Sequence, residues 1–223
     1  MAKALDLDEQ EQLDQIKHFW KTWGNLISWL LIAVLGSYAA WNGYQYWERS
    51  QATKAAALFD EVERAVSSGD LARVERSLAD MKDKFGRTQF AQQSALLAAK
   101  TLHAQGKSDA AREALLGVIT GAKDPAYRDI ARLRLVALQL DAKAYDDALK
   151  QLASEFTPEM AGLAADLRGD VFQAQGQSAQ AVTAYQLAWR KLADTPDYRR
   201  LVQAKLNALG IDPDATAVSE APK

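Results

Sequence analysis

The order of apolar and polar positions divides the chain into two stretches of different kind. From Thr22 to Trp47 there is no charged residue, and the centre reads Leu26-Ile27-Ser28-Trp29-Leu30-Leu31-Ile32-Ala33-Val34-Leu35-Gly36. A helix needs about 20 mostly apolar residues to cross a ~30 Å hydrocarbon layer, so this stretch predicts a transmembrane helix over residues 22–47. Trp20 and Trp23 mark one end, and Trp41, Tyr44, Tyr46 and Trp47 mark the other. Amphipathic rings favour the headgroup level, which reads as two interfacial belts in contact with lipid. Ser37-Tyr38-Ala39 has the small-residue form of a signal-peptide cleavage site. The apolar run is long for a signal peptide, however, and an aromatic belt follows it. Ala33, Gly36, Ala40 and Gly43 recur at spacings of three, four and three, which places four small residues on one helix face. Small residues let another membrane helix approach closely, so this face is the candidate for helix packing.

Beyond Gln51 the period changes. Apolar residues recur every three or four positions, and no alternating strand-like run is present, so the expectation is helix after helix. Four turns punctuate the pattern: Ser68-Gly69-Asp70-Leu71, Gln105-Gly106-Lys107-Ser108, Ala142-Lys143-Ala144-Tyr145 and Gln175-Gly176-Gln177-Ser178. Their anchors at 69, 106, 143 and 176 lie close to the ~34-residue period of tetratricopeptide (TPR) repeats. An apolar ladder follows each turn: Val74, Leu78, Met81; Ala111, Leu115, Val118; Ala148, Leu152; and Ala181, Tyr185, Ala188. In the last unit Gly169, Phe172, Gly176, Ala181, Tyr185 and Ala188 follow the TPR order of small, aromatic, turn, small, aromatic and small. Gly169 and Ala181 are expected where the two helices cross, with Phe172 and Tyr185 filling the space toward the neighbouring hairpin. Thr195, Pro196 and Gly210 bracket a closing helix whose stripe is Tyr198, Val202, Leu206 and Leu209. The fold class is therefore all-α: a single transmembrane helix, then a TPR-like α-solenoid of about four hairpins with a C-terminal capping helix. The domains expected are an N-terminal segment over 1–21, the span over 22–47, the TPR-like domain over 48–210 and a disordered tail over 211–223.

Charge and composition narrow the function. Residues 1–21 hold three lysines and five acids, and residues 48–223 hold 24 basic and 24 acidic side chains. So even a mixture lacks the basic face of a nucleic-acid binder, and nucleic acid is not an expected partner. With no Cys and two His there is no thiolate chemistry and no His- or Cys-rich metal site. Phosphate-binding and nucleophile-elbow motifs are absent, so neither an enzyme, a cofactor nor a small-molecule substrate is expected. What remains is surface. In a solenoid of this kind the first helix of each hairpin lines the concave side. Counting back from the turns gives Gln93, Leu96, Lys100 and His103 in one unit and Asp166, Asp170 and Gln173 in the last as a candidate partner groove. Lys and Arg near the span number three on each side, so charge bias does not decide orientation, although Lys17 and Lys21 lean toward a cytoplasmic amino terminus.

Four segments together resemble the YfgM-type ancillary subunits of the bacterial SecYEG translocon. They are Asp8-Glu9-Gln10-Glu11-Gln12 leading to Ile16-Lys17-His18-Phe19-Trp20; Trp41-Asn42-Gly43-Tyr44-Gln45-Tyr46-Trp47; Ala165-Asp166-Leu167-Arg168-Gly169-Asp170; and Gln203-Ala204-Lys205-Leu206-Asn207-Ala208-Leu209. The resemblance implies a non-enzymatic adaptor in the bacterial inner membrane, with residues 1–21 cytoplasmic and the TPR-like domain periplasmic. It also implies association with SecYEG and with a PpiD-type membrane-anchored chaperone. A general TPR scaffold for another cell-envelope complex is the alternative.

Overall fold

The computed structural model describes residues 7–213, with side chains from Leu13 onward. These residues form helices only: α1 (Leu7–Ser68), α2 (Leu71–Phe85), α3 (Gln89–Ala104), α4 (Ser108–Gly121), α5 (Pro125–Asp141), α6 (Tyr145–Leu152), α7 (Pro158–Ala174), α8 (Ser178–Lys191) and α9 (Pro196–Ala208). They divide into two compact units, one ending at Gln51 and one beginning at Ala52.

In the first unit α1 carries the uncharged stretch. Its large side chains lie open: Trp29 is 65% exposed and Leu35 is 63% exposed. A core helix of a water-soluble protein buries such residues, so their apolar character is not used for packing within this chain. The helix is long and apolar enough to cross a membrane. Some of its polar side chains bond to the backbone one turn back. Ser37 Oγ donates to the Ala33 carbonyl at 2.7 Å and Asn42 Nδ2 to the Tyr38 carbonyl at 3.0 Å, bonds that would remain intact in a hydrocarbon layer. Helix continues past Trp47 because the following residues, rich in Ala and Glu and free of Gly and Pro up to Ser68, favour it regardless of hydropathy.

The second unit consists of four hairpins, formed by the end of α1 with α2, then α3 with α4, α5 with α6, and α7 with α8, closed by α9. One turn geometry makes all four. Gly69, Gly106, Lys143 and Gly176 have φ of +70°, +79°, +57° and +74°. The next residue's N–H then reaches back across the last turn of helix: Asp70 to Ala65 O, Lys107 to Leu102 O, Ala144 to Gln139 O and Gln177 to Phe172 O, at 2.8–3.1 Å. These are Schellman closures, which need a left-handed residue to satisfy the helix's last carbonyls. Three turns use glycine; the third forces a lysine into the same conformation. Lys143→Gly is therefore expected to raise stability by about 1 kcal/mol, read as a higher denaturation midpoint, because the left-handed strain at a Cβ exceeds the extra chain entropy of glycine.

Burial follows the solenoid pattern of contacts between neighbours. Leu102, Leu115 and Val118 of the second hairpin pack with Val74 before them and Leu135 after them. Val136, Leu152 and Val171 join the third hairpin to α7. Tyr185, Trp189, Val202 and Leu206 join α8 to α9. The α9 stripe of Tyr198, Val202, Leu206 and Leu209 faces this last cluster. Gly210, at φ +79°, ends the helix, and the Ile211 N–H bonds to the Leu206 carbonyl at 3.0 Å. The expected disorder of 211–223 is corrected at its start. Ile211 packs against the terminal cluster and Pro213 is buried, because the left-handed Gly210 turns the chain back onto the core. The rest of that tail, like residues 1–6, lies outside the described residues.

Candidate functional site: the first-helix face and its closing network

The first helices α3, α5 and α7 put the candidate groove residues in three kinds of place. On α3, Gln93 Nε2 donates to the Tyr127 hydroxyl of α5 at 2.8 Å. Leu96 is buried, 6% exposed, and its carbonyl accepts from Arg134 Nη1 of α5 at 2.7 Å. Lys100 is exposed. His103 is held at both ring nitrogens, by Asp141 Oδ2 of α5 at 3.1 Å and by Ser108 Oγ of α4 at 3.2 Å. On α7, Asp166 is 1% exposed, Asp170 is half-buried and Gln173 is exposed.

The groove expected from counting positions thus needs correction at Leu96 and Asp166, which are buried and present no surface to a partner. Neighbouring first helices lie within side-chain reach of one another, so polar positions that a single helix would show to solvent are spent on the next helix. Lys100 and Gln173 remain open. The fold brings Ser108 and Asp141 to His103. With the Asp141 side chain 66% exposed, this trio is a solvated bridge among α3, α4 and α5.

Asp166 and Asp170 belong to a network that closes the array. Lys205 Nζ of α9 donates to Asp166 at 2.8 and 2.9 Å and to Asp170 at 2.7 and 2.9 Å. The Tyr198 hydroxyl donates to Asp166 at 2.8 Å and the Tyr185 hydroxyl to Asp170 at 2.7 Å. Burial raises the pKa of the Asp166 carboxyl above its ordinary value, while the Lys205 ammonium opposes that shift. Burial and the adjoining carboxylates raise both phenols, which therefore stay neutral donors. The ammonium sits where a metal ion would have to bind the two carboxylates, and it satisfies them.

The repeat-packing residues of the last unit meet around one ring. Tyr185 is 3% exposed and lies against Gly169, where an added Cβ would overlap the ring. Ala181 and Ala188 are fully buried, Phe172 is half-buried, and Gly176 makes the turn. Ala33, Gly36, Ala40 and Gly43 all lie open on α1, with open space beside Gly36 and Gly43.

Sequence reading missed Lys205 and Asp129, and it placed Tyr198 in the apolar stripe of α9 without its bond to Asp166. For Lys205 a signal existed: it falls inside the apolar stripe of α9, seven residues from Tyr198, and a cation in a buried stripe needs an acid opposite. Asp129, 2% exposed, accepts from the Thr157 N–H at 2.8 Å where α7 begins, and nothing local in the sequence marks that contact.

The tetratricopeptide repeat-like domain family matches residues 17–211, covering the apolar part of α1 and all four hairpins. An ancillary SecYEG translocon subunit of Neisseria gonorrhoeae is 34% identical over 92% of this chain and 99% of its own length. The chain belongs to that family. Further family members are the ancillary SecYEG translocon subunits of Escherichia coli, 28% identical over 92% of this chain and 98% of that one, and Haemophilus influenzae, 24% identical over 92% and 100%. No solved structure matches the chain. Family membership agrees with a nonpolar N-terminal helix followed by a helical array.

Proposed function

We propose that this chain is a non-enzymatic accessory of the SecYEG translocon, anchored in the bacterial inner membrane by residues 22–47. Its residues 1–21 face the cytoplasm and its TPR-like domain, residues 48–210, stands in the periplasm. There it passes emerging chains to a PpiD-type membrane-anchored chaperone. One observation carries the reading: similarity to ancillary SecYEG subunits runs through the apolar helix and the array together, over 92% of the chain. The bare apolar side chains of α1 support a lipid anchor. Tethering raises the effective concentration of a weak binder to the order of mM, so shallow contacts on the first-helix face suffice. Lys100 and Gln173, the open members of that face, are the positions to probe; Asp170 is not, since replacing it breaks the closing network. The small-residue face of Ala33, Gly36, Ala40 and Gly43 is proposed to meet another membrane helix.

The test combines topology with capture. A photo-reactive residue at Lys100 or Gln173 in whole cells is expected to give adducts with SecY and the chaperone. Protease added to spheroplasts is expected to digest the array, and alkaline carbonate is expected to leave the chain in the membrane pellet. Adducts confined to an unrelated envelope complex, an array protected from protease, or release into the supernatant would each overturn the reading.

A further inference from the structure

The second helices of the hairpins form a row, and one of them is short. α2, α4 and α8 have 15, 14 and 14 residues, whereas α6 has 8. The shortfall of six residues against α8 is about 9 Å of helix. Its consequence shows in the cavities along the row. Between α2 and α4 lies a cavity of about 370 Å3 with both helices as walls. Between α4 and α6 lies one of about 340 Å3, again walled by both. The third, about 520 Å3, is lined by Arg168 and Phe172 of α7 and by Thr183, Ala184, Leu187 and Arg190 of α8, with no residue of α6. Arg168, at its edge, donates to the carbonyl of Leu152, the last residue of α6. The wall that a full-length second helix would supply is missing from the point where α6 stops.

Charge along the row distinguishes the same interval. Across the first gap, Lys82 of α2 faces Glu113 of α4 at 3.7 Å, and Glu75 of α2 faces Lys107 at 2.7 Å. At the third cavity, Arg190 is exposed and makes no ion pair among the described residues, and Arg168 has a neutral carbonyl as its partner. Two guanidinium groups therefore stand beside an apolar floor of Phe172, Ala184 and Leu187, with no acidic residue in the cavity's lining.

We propose that this notch docks an amphipathic helix of a partner protein, apolar toward Leu187 and acidic toward Arg168 and Arg190, which takes the place of the missing turns of α6. The partner's relevance rests on the adaptor reading; the site itself does not. Apolar side chains would fill the floor, and a carboxylate on one flank would meet the arginines, supplying the pairing that Glu113 supplies in the first gap.

The test uses the full chain in detergent micelles. The probes are two labelled helix-forming peptides of the length of α8, each with a Leu/Ala face, one flanked by Glu and one by Lys. The Glu peptide is expected to bind by fluorescence anisotropy, and the Lys peptide at least ~10-fold more weakly. Arg190→Glu, a surface change, is expected to weaken the Glu peptide at least ~10-fold and to strengthen the Lys peptide, with helical circular dichroism unchanged. Leu187→Asp is expected to weaken both peptides. Equal binding of the two peptides, failure of the Glu peptide to bind, or indifference to Arg190→Glu would overturn the proposal. So would a dimer of the full chain that Leu187→Asp dissociates, since the occupant would then be a second copy. SecY adducts from Lys100 report on the adaptor reading separately. Their persistence beside failed peptide binding removes the notch alone, and their loss beside successful binding removes the translocon role alone.

Discussion

Lys205→Met is expected to lower the stability of the helical domain by about 3 kcal/mol at neutral pH, because it leaves two carboxylates facing each other in a mostly dry space. The Asp166 side chain is 1% exposed, Asp170 25% and Lys205 23%, so water screens the trio little. The pH dependence carries the diagnosis. Burial raises the folded-state pKa of Asp166 above its unfolded value, so the folded chain holds that proton more tightly. Its contribution to stability is fully present below the unfolded carboxyl pKa and is lost as pH rises through the raised folded value. Removing Lys205 removes the cation that opposes the rise, so the loss becomes larger and extends to higher pH. Denaturant unfolding from pH 4 to pH 7 is expected to show Lys205→Met falling away from the parent as pH rises. Combining it with Asp166→Asn is expected to restore most of the difference at pH 7. A parallel offset at all pH values would mean that packing, not charge, was lost.

Gly169→Ala is expected to destabilise the domain by about 2 kcal/mol, although the same change in an open helix stabilises by roughly 1 kcal/mol. The new methyl would overlap the Tyr185 ring. The ring has nowhere to go: its hydroxyl is held by Asp170, and the Lys205 ammonium lies 5.3 Å from its centroid. Gly117, inside α4, supplies the control, since a Cβ there meets open space. Gly117→Ala is expected to raise the thermal midpoint and Gly169→Ala to lower it. Two shifts of the same sign would mean that the close approach at Gly169 does not decide the outcome.

The helical array was legible because its signals are local. Turn anchors and apolar ladders each sit within one hairpin, and the phase at 69, 106 and 176 located the left-handed Lys143 even without glycine. The ladder of Ala148 and Leu152 has two rungs where the others have three, but the shortness of α6 was not read from it. The partner face was not legible, because it depends on what the neighbouring helix supplies. Leu96 reads as a groove residue until α5 covers it, and Asp166 reads as an open acid until Lys205, 39 residues later, reaches it. Helix continuity also escaped: hydropathy changes at Trp47, but the helix former content does not, and α1 runs on to Ser68.

A stack of identical hairpins has no built-in reason to stop, and an uncapped end would be adhesive to the next molecule. α9 turns its apolar stripe inward and sets Asp197 and Arg200 outward, 96% and 78% exposed. Copies crowded side by side thus meet a largely polar outer face at α9, where Leu201 is the exposed large apolar side chain among the described residues.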